Sequence, residues 1–452
     1  MKIAFYTLGC KVNNSETEGF IRQFAAAGWE VVPFNDAADV YVVNSCAVTG
    51  MAEAKSRKAV NSRQLTVDSE DRKPIIAVIG CASQLGKSKF NADIILGTEN
   101  RHELFAKVTE TFVGATISRP AASGDKIATF QANAVRPYNV GGRTRKIIKI
   151  QDGCENFCAY CIIPHARGKE KSRAVSEILE EIGANPSSEI VLVGIHVSSW
   201  QLTVDGRQLR LLDLVEEILK IDGVHRVRLG SLEPHDMDEE FVNRAAELCG
   251  EKKRTPPSSP LAMPPPLNRG GILCPHFHIS LQSGSDSVLA RMGRKYNFDR
   301  FYAIVKNLKE KIPNCAITTD IIAGFGGETE AEFKESYRNI EKCEFAKIHI
   351  FPYSERQGTT GASKEFIQEH GSVPSAERKK RAKILGELAD RAHNEFLQSQ
   401  VGAEQEIVWE KNGGYTPNYT RVKCEEGNFE SGDIVKVKIM KSDGEKCFGE
   451  IM

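Results

Sequence analysis

At 452 residues the chain is longer than one ordinary domain, so two or three are expected. Sixty Lys and Arg balance sixty Asp and Glu, which excludes a global polyanion-binding charge and makes any nucleic-acid surface local. The opening run Met1–Gly9 is too short for a signal core, and no stretch reaches the roughly 18 apolar residues of a membrane span; twelve cysteines in that setting point to cytoplasmic thiols and metal ligation rather than disulfides.

Three apolar runs each end on a cysteine: Ile3–Cys10, Val40–Cys46 and Ile75–Cys81. Helical patterns intervene over Ser15–Ala27 and Thr49–Leu65. Such alternation predicts a parallel sheet with right-handed crossovers, and short Val/Ile runs fit strands buried on both faces. The carboxyl ends of these strands share one edge, where ligands bind. Cys10, Cys46 and Cys81 are therefore expected to meet in space. Singly, each reads as a buried core thiol. At the same position of successive units they read as three ligands of an iron–sulfur cluster with one iron open. Gly9, Ser45, Gly80 and Ala82 leave room for a bulky inorganic core. Lys55–Lys58 reads equally as a solvated helix face or as a hold on an anionic substrate. A domain over residues 1–115 then gives way to a linker over 116–142, with loop texture at Ser118–Gly124 and Arg136–Gly142.

The strand Lys146–Gln151 runs into Gln151–Pro164, where Cys154, Cys158 and Cys161 stand at a Cys-x3-Cys-x2-Cys spacing. Three thiolates on one loop hold three irons of a cubane [4Fe–4S] cluster and leave the fourth for a cofactor. A zinc knuckle is the rival, but zinc favours four ligands in paired halves, and only His165 offers a cramped fourth. Further strands are expected at Glu189–Ile195, Arg226–Ser231, His276–Gln282, Ile317–Ala323 and Ala346–Phe351. Helices are expected at Ser172–Ala184, Leu211–Ile221, Asp238–Cys249, Asp286–Lys311 and Thr329–Cys343, the last opened by a Thr329/Glu332 capping box. Six βα units over residues 143–375 make an incomplete (βα)6 barrel, whose site lies at the carboxyl ends of its strands. Gly194–His196, Gly230–Glu233, Gln282–Ser285 and Gly324–Glu328 gather there. Residues 251–273 break the pattern with Pro256, Pro257, Pro260 and Pro264–Pro266, which no barrel element accommodates. A solvated insertion is the plain reading, and a proline-recognition ligand the other.

Over residues 376–452, Glu377–Gln400 is an amphipathic helix whose Arg378–Arg381 run reads as a solvated face. Short strands follow at Glu406–Glu410, Tyr419–Lys423, Asp433–Met440 and Phe448–Met452, separated by turns at Asn412–Gly414 and Ser442–Gly444. They predict a small antiparallel β-barrel, an architecture that often binds oligonucleotides. Tyr415 and Tyr419 are candidates to stack on bases, with Arg421 and Lys423 near phosphates. The barrel alone leaves RNA binding open.

The Cys154/Cys158/Cys161 loop, with Tyr160 before its last cysteine, resembles the signature of the radical S-adenosylmethionine superfamily. Thr7–Asn13, Val43–Thr49 and Gly80–Gln84 resemble the amino-terminal domain of the methylthiotransferases, and the closing barrel resembles their TRAM domain. Within that family Ile150–Cys154, Ile162–Gly168, Gly194–His196, Cys274–Gly284 and Gly414–Tyr419 are most similar to the subgroup acting on N6-threonylcarbamoyladenosine at tRNA position 37. Two departures stand out. Gly326 replaces a proline usual in the family, which implies a looser turn, and the proline-rich insertion is foreign to it.

The resemblance implies two [4Fe–4S] clusters, one on Cys154, Cys158 and Cys161, the other on Cys10, Cys46 and Cys81. It also implies S-adenosylmethionine as radical source and methyl donor, tRNA bound at its anticodon stem-loop, and an electron donor such as flavodoxin or ferredoxin. Adenine C2 resists ordinary acid–base substitution, so replacing its hydrogen by a methylthio group calls for radical chemistry carried by the cofactor. Tyr160, Glu233 and Gln282 are candidate cofactor contacts, with His196 a lesser one; barrel-mouth polarity accounts for each equally. Water must be kept from a radical, so the cysteine domain is expected to cap the barrel mouth. Isopentenyladenosine in tRNA or a ribosomal-protein aspartate are rival substrates, and a non-catalytic RNA-binding iron–sulfur sensor is the rival from another class.

Overall fold

The computed structural model describes residues 1–64, 73–86, 89–117, 144–250, 271–425 and 427–452. The expected linker over 116–142 and the proline-rich insertion over 251–273 fall almost wholly outside these. The described residues form two compact units. The first draws on Met1–Gly142 with Cys154–Asn156 and Cys161–Lys169; the second draws on Arg143–Gly153, Phe157–Tyr160 and Glu170–Met452.

In the first unit the three cysteine-ended runs are the middle of a five-stranded sheet, ordered Glu30–Val32, Lys2–Thr7, Val40–Ser45, Ile75–Gly80, Ile94–Ile95. Every pairing is parallel. Val40–Ser45 and Ile75–Gly80 are buried throughout, as strands covered on both faces must be. Phe20, Phe24, Leu104 and Val108 pack one face; Val60, Ala82, Phe90, Ile162 and Ala166 pack the other. The first helix spans Lys11–Ala26 rather than starting at Ser15. Asn13 and Asn14 are poor helix formers, but Asn13 is buried with its amide bonded to the Leu8 and Ser45 carbonyls, and tertiary contacts override propensity.

In the second unit the six expected barrel strands are parallel neighbours in chain order, carried on two four-stranded sheets. Arg145–Lys149, Glu189–Val193 and Arg226–Leu229 lie in one; Ser231–Leu232, His276–Ile279, Ala316–Ala323 and Lys347–Pro352 make the other. The third strand therefore divides at Gly230, where a Cβ would lie 3.0 Å from the Leu192 carbonyl. Its second half crosses to the next sheet. Ile272–Leu273 adds a short strand beside Arg226–Leu229. One apolar core, including Ile148, Leu192, Leu229, Phe277, Ile317 and Phe345, fills the space between strands and helices.

The single helix expected over Asp286–Lys311 is two, Asp286–Arg291 and Phe298–Lys311. Gly293 at φ 73° ends the first, and the Asn297 side chain accepts from Arg300 N to start the second. Asp205 and Gly206, both at positive φ, turn an unforeseen hairpin of Gln201–Val204 and Arg207–Arg210. Gly326 is buried, and Phe366 Cε1 lies 2.7 Å from where its Cβ would stand. The Phe366 ring thus occupies the space that a side chain at 326 would need.

The helix Ser375–Ser399 precedes a closed five-stranded barrel of Glu404–Glu410, Gly413–Tyr415, Arg421–Cys424, Ile434–Ser442 and Cys447–Ile451. Four pairings are antiparallel; Arg421–Cys424 with Cys447–Ile451 is parallel. The Arg378–Arg381 run is not all solvated. Arg381 is buried against Glu328 at 2.7 Å, and Arg378 pairs with Glu355.

Tyr415 and Tyr419 depart from their expected role. Their rings stack on each other at 4.9 Å, with the Arg145 guanidinium 4.4 Å from one centroid and Arg228 4.5 Å from the other. They serve the junction between the two barrels of this unit. Among the described residues no helix is long and apolar enough to cross a membrane.

Candidate cluster sites and their surroundings

Cys10, Cys46 and Cys81 each sit immediately after their strand or a tight turn from it, and the parallel register carries them to one edge. The Cys46 thiol is pushed up to about 11, mainly by burial; the Cys81 and Cys10 sulfurs add to the rise, while Arg167 pulls against it. Burial likewise raises the Cys81 thiol, with Arg167 opposing and Cys10 adding. The three sulfurs thus feel one another, as the sequence anticipates. Among the described residues they are absent from the groups whose donor atoms all lie within 4.8 Å. One zinc ion, with bonds of about 2.3 Å to sulfur, would draw them closer than that. A Cβ on Gly9 would stand 2.7 Å from Cys46 Sγ, so only glycine lets the backbone pass so near.

Arg167, inside the Ile162–Gly168 stretch, is the long-range partner of these cysteines that their spacing does not reveal. Its Nε donates to Cys81 Sγ at 3.2 Å, its Nη1 meets Glu16 at 2.9 Å and its Nη2 donates to Asn13 Oδ1 at 2.7 Å. The guanidinium is wholly buried. A cation bonded to a cysteine sulfur favours its thiolate form, the form that ligates metal. Of the Lys55–Lys58 run, Ser56 is buried with its hydroxyl accepting from Cys46 N at 3.3 Å, Arg57 pairs with Glu53, and Lys55 and Lys58 are exposed.

Cys154 and Cys161 belong to the first unit and Cys158 to the second. Cys154 N donates to Gly168 O at 3.1 Å. Cys158 is buried, and its neighbour Ala159 is held by Met292 O and Gly361 N at 2.9 and 2.7 Å. Phe157, at φ 46° and more than half exposed, forms the strained tip. His165 is exposed.

In the second unit the break between the two helices delivers Arg294 to the strand ends. Its Nη1 lies 3.4 Å from Cys158 Sγ, 3.3 Å from the Tyr160 hydroxyl and 3.4 Å from Glu233 Oε1. Nη2 meets Glu233 Oε2 and donates to Ser280 O at 3.1 Å. Burial works against this charge, but Tyr160, Tyr296, Glu233 and Cys158 outweigh it and keep the guanidinium protonated. Tyr160 and Glu233 are thus brought together, through an arginine whose sequence signals were the Gly293 helix stop and the Asn297 cap. Gln282 is held by its backbone, at φ 68°, with its N–H on Asp320 O at 2.9 Å; a non-glycine residue held so is strained at a strand end.

His196 has both ring nitrogens engaged, by Glu170 and by Asp236, each at 2.7 Å. It braces two loops. Burial opposes the charge of Asp236, yet hydrogen bonds from His196 and Ser198 hold its carboxyl below the ordinary value. Ser198 Oγ also accepts from Glu233 N at 3.1 Å, so the brace fixes the backbone at Glu233. Gln151 ties the Ile150–Cys154 stretch to Gly194–His196: its Oε1 accepts from Ile195 N and His196 N at 3.0 and 2.8 Å.

The pattern of the radical SAM superfamily matches residues 148–340, and that of uncharacterized protein family UPF0004 matches residues 2–97. The chain is 33% identical, over 97% of its length, to a Bacillus subtilis (strain 168) protein named threonylcarbamoyladenosine tRNA methylthiotransferase MtaB, of which 94% is covered. A protein of the same name from Aquifex aeolicus (strain VF5) is 31% identical over 97% of this chain and 100% of its own. A tRNA-2-methylthio-N(6)-dimethylallyladenosine synthase of Bacillus pumilus (strain SAFR-032) is 31% identical over 100% of this chain and 86% of its own. Identity of this extent, spanning both cysteine-bearing regions and the terminal barrel, shows that the chain belongs to the radical S-adenosylmethionine methylthiotransferase family.

Proposed function

We propose that this protein is a tRNA methylthiotransferase that converts N6-threonylcarbamoyladenosine at position 37 to its 2-methylthio derivative. The observation that carries the reading is the meeting of Cys10, Cys46 and Cys81 beside Arg167. A second set of three thiols, additional to the Cys154–Cys161 loop, is what a sulfur donor needs and what an RNA-binding sensor does not. The substrate assignment rests on likeness to the proteins named for threonylcarbamoyladenosine.

The cofactors of the family are S-adenosylmethionine and two [4Fe–4S] clusters. In this reading Cys154, Cys158 and Cys161 hold one cluster and Cys10, Cys46 and Cys81 the other. Bound there, the cofactors supply one-electron chemistry able to replace an unactivated C–H hydrogen, and the sulfur that replaces it. The chain's own residues bind and orient. Arg294 fixes the Glu233 carboxylate and the Tyr160 hydroxyl beside Cys158, and these would hold the cofactor by its polar groups. Gln282 adds an amide from the neighbouring strand. Lys411, Asn412, Arg421, Lys423 and Lys446 line a hollow of about 350 Å³ on the terminal barrel; four cations on one side of a neutral chain suit RNA phosphates.

Nucleoside mass spectrometry of tRNA from a deletion strain tests the assignment. The expected result is loss of 2-methylthio-N6-threonylcarbamoyladenosine with accumulation of its precursor. Unchanged levels overturn it, and loss of the isopentenyl counterpart instead would move the protein to the other tRNA substrate.

Arg294→Gln tests the cofactor site. It removes charge-assisted hydrogen bonds worth about 1.5–3 kcal/mol and leaves Glu233 without its cation. S-adenosylmethionine cleavage is expected to slow roughly 10- to 100-fold, with iron content retained. Wild-type cleavage in this variant would remove Arg294 from the site.

A further inference from the structure

Three side chains outside both cysteine sites converge on one face of the sheet made by His276–Ile279, Ala316–Ala323 and Lys347–Pro352. Alternation sets their direction. Phe277, Ile279, Ile317, Ile321 and Ile348 enter the apolar core, so His278, Asp320 and His349 stand on the opposite face. Asp320 and His349 are direct cross-strand partners, and His278 is paired with Thr318. His278 Nε2 lies 3.2 Å from Asp320 Oδ2, and the two imidazole centroids are 5.9 Å apart. One donor atom from each of the three lies within 4.8 Å of the others. His278 Nδ1 is 2.9 Å from Thr318 Oγ1, which fixes the ring with Nε2 toward Asp320. His278 and Asp320 are half-buried and His349 is exposed.

We propose that His278, Asp320 and His349 form a binding site for a divalent transition-metal ion, separate from the six cysteines. Two imidazoles and one carboxylate are a mixed nitrogen and oxygen set suited to manganese(II), iron(II) or zinc, with positions left open for water or another oxygen ligand. Metal–ligand bonds of about 2.0–2.2 Å put adjacent donors about 3–3.5 Å apart. The first two donors are already at that spacing, and the His349 donor lies within 4.8 Å of both. Thr318 is the outer hydrogen-bond partner that orients a ligating imidazole and fixes its tautomer. A simple His278–Asp320 ion pair would account for two of these residues but not for a second imidazole beside them on the next strand. Asp320 also bonds through its carbonyl to Gln282 N, so the ion would lie next to a candidate cofactor contact.

The test is manganese(II) titration of the full chain with its clusters reconstituted, read from the loss of the free-ion electron paramagnetic resonance signal. One ion per chain is expected for the wild type. His349→Gln and Asp320→Asn should each weaken binding at least about tenfold, and Thr318→Val by roughly tenfold. His349 is exposed, and unchanged iron content shows for each variant that the fold is kept. No uptake by the wild type, or equal uptake by wild type, His349→Gln and Asp320→Asn, overturns the proposal.

Discussion

Replacing Cys10, Cys46 and Cys81 together by alanine is expected to remove about half of the bound iron, spare S-adenosylmethionine cleavage and stop thiolation of tRNA. The complementary triple variant at Cys154, Cys158 and Cys161 is expected to lose the other half and all cleavage. The first result follows from the contacts around each site. Cys81 is bonded to Arg167, which holds Glu16 and Asn13, whereas Cys158 is bonded to Arg294, which holds Tyr160 and Glu233; the two sets of partners have no residue in common. Removing the three thiols leaves Arg294 and its partners untouched. It also leaves Arg167 buried with Glu16 and Asn13 still bonded to it, so the unit keeps its ion pair and should stay folded. Some stability is lost, because ligand binding by a preformed site adds to the folding free energy. Iron analysis and 5′-deoxyadenosine quantification after anaerobic incubation with reductant decide the matter. Full iron in either triple variant would end the two-cluster assignment, and cleavage lost in the Cys10/Cys46/Cys81 variant would mean that the two sites do not work separately.

Periodicity and strand order made much of this legible. A cysteine at the end of each Val/Ile run foretold the meeting of Cys10, Cys46 and Cys81, because parallel strands deliver the same position to the same edge. The barrel strands were legible for the same reason. What stayed hidden were long-range partners. Arg167 reaches Asn13 and Glu16 across about 150 positions, and Arg294 reaches Cys158 across 136; no local pattern records either. The helix break that delivers Arg294 did leave a trace, in Gly293 and Asn297, but a continuous apolar stripe masked it. Tyr415 and Tyr419 misled for a physical reason. An aromatic pair beside arginines looks the same in sequence whether the rings await bases or are already covered by guanidiniums.

That covered junction gives the largest expected effect on stability. Arg145, Glu189 and Arg226 are cross-strand partners in one row at the amino ends of three barrel strands. Glu189 is fully buried and meets Arg226 Nε and Arg228 Nε at 2.6 and 2.7 Å. The same guanidiniums continue to the terminal barrel: Arg226 Nη2 donates to Tyr415 O at 2.6 Å, and Arg228 to Pro417 O at 2.8 Å. Glu189 is therefore the anion that lets two buried cations hold the Tyr415–Pro417 turn. Burial opposes its charge, but Arg228 and Arg226 prevail and hold the carboxyl down to about 2. A fall from the ordinary 4.5 to about 2 corresponds to about 3 kcal/mol. Breaking a buried pair from one side costs about 3–5 kcal/mol, and the two routes agree. Glu189→Gln keeps the shape and removes the charge, so its melting temperature should fall by roughly 6–20 °C. The pH dependence has a definite sign. A depressed carboxyl stabilises the fold fully above its ordinary value near 4.5, and that contribution drains away as pH falls toward about 2. The gap between wild type and Glu189→Gln should accordingly be constant near neutrality and close only below about pH 4.5. Calorimetry across that range reads both features. A variant melting within about 2 °C of wild type at pH 7, or a gap that persists unchanged to pH 2, would show that Arg226 and Arg228 are balanced by something other than Glu189.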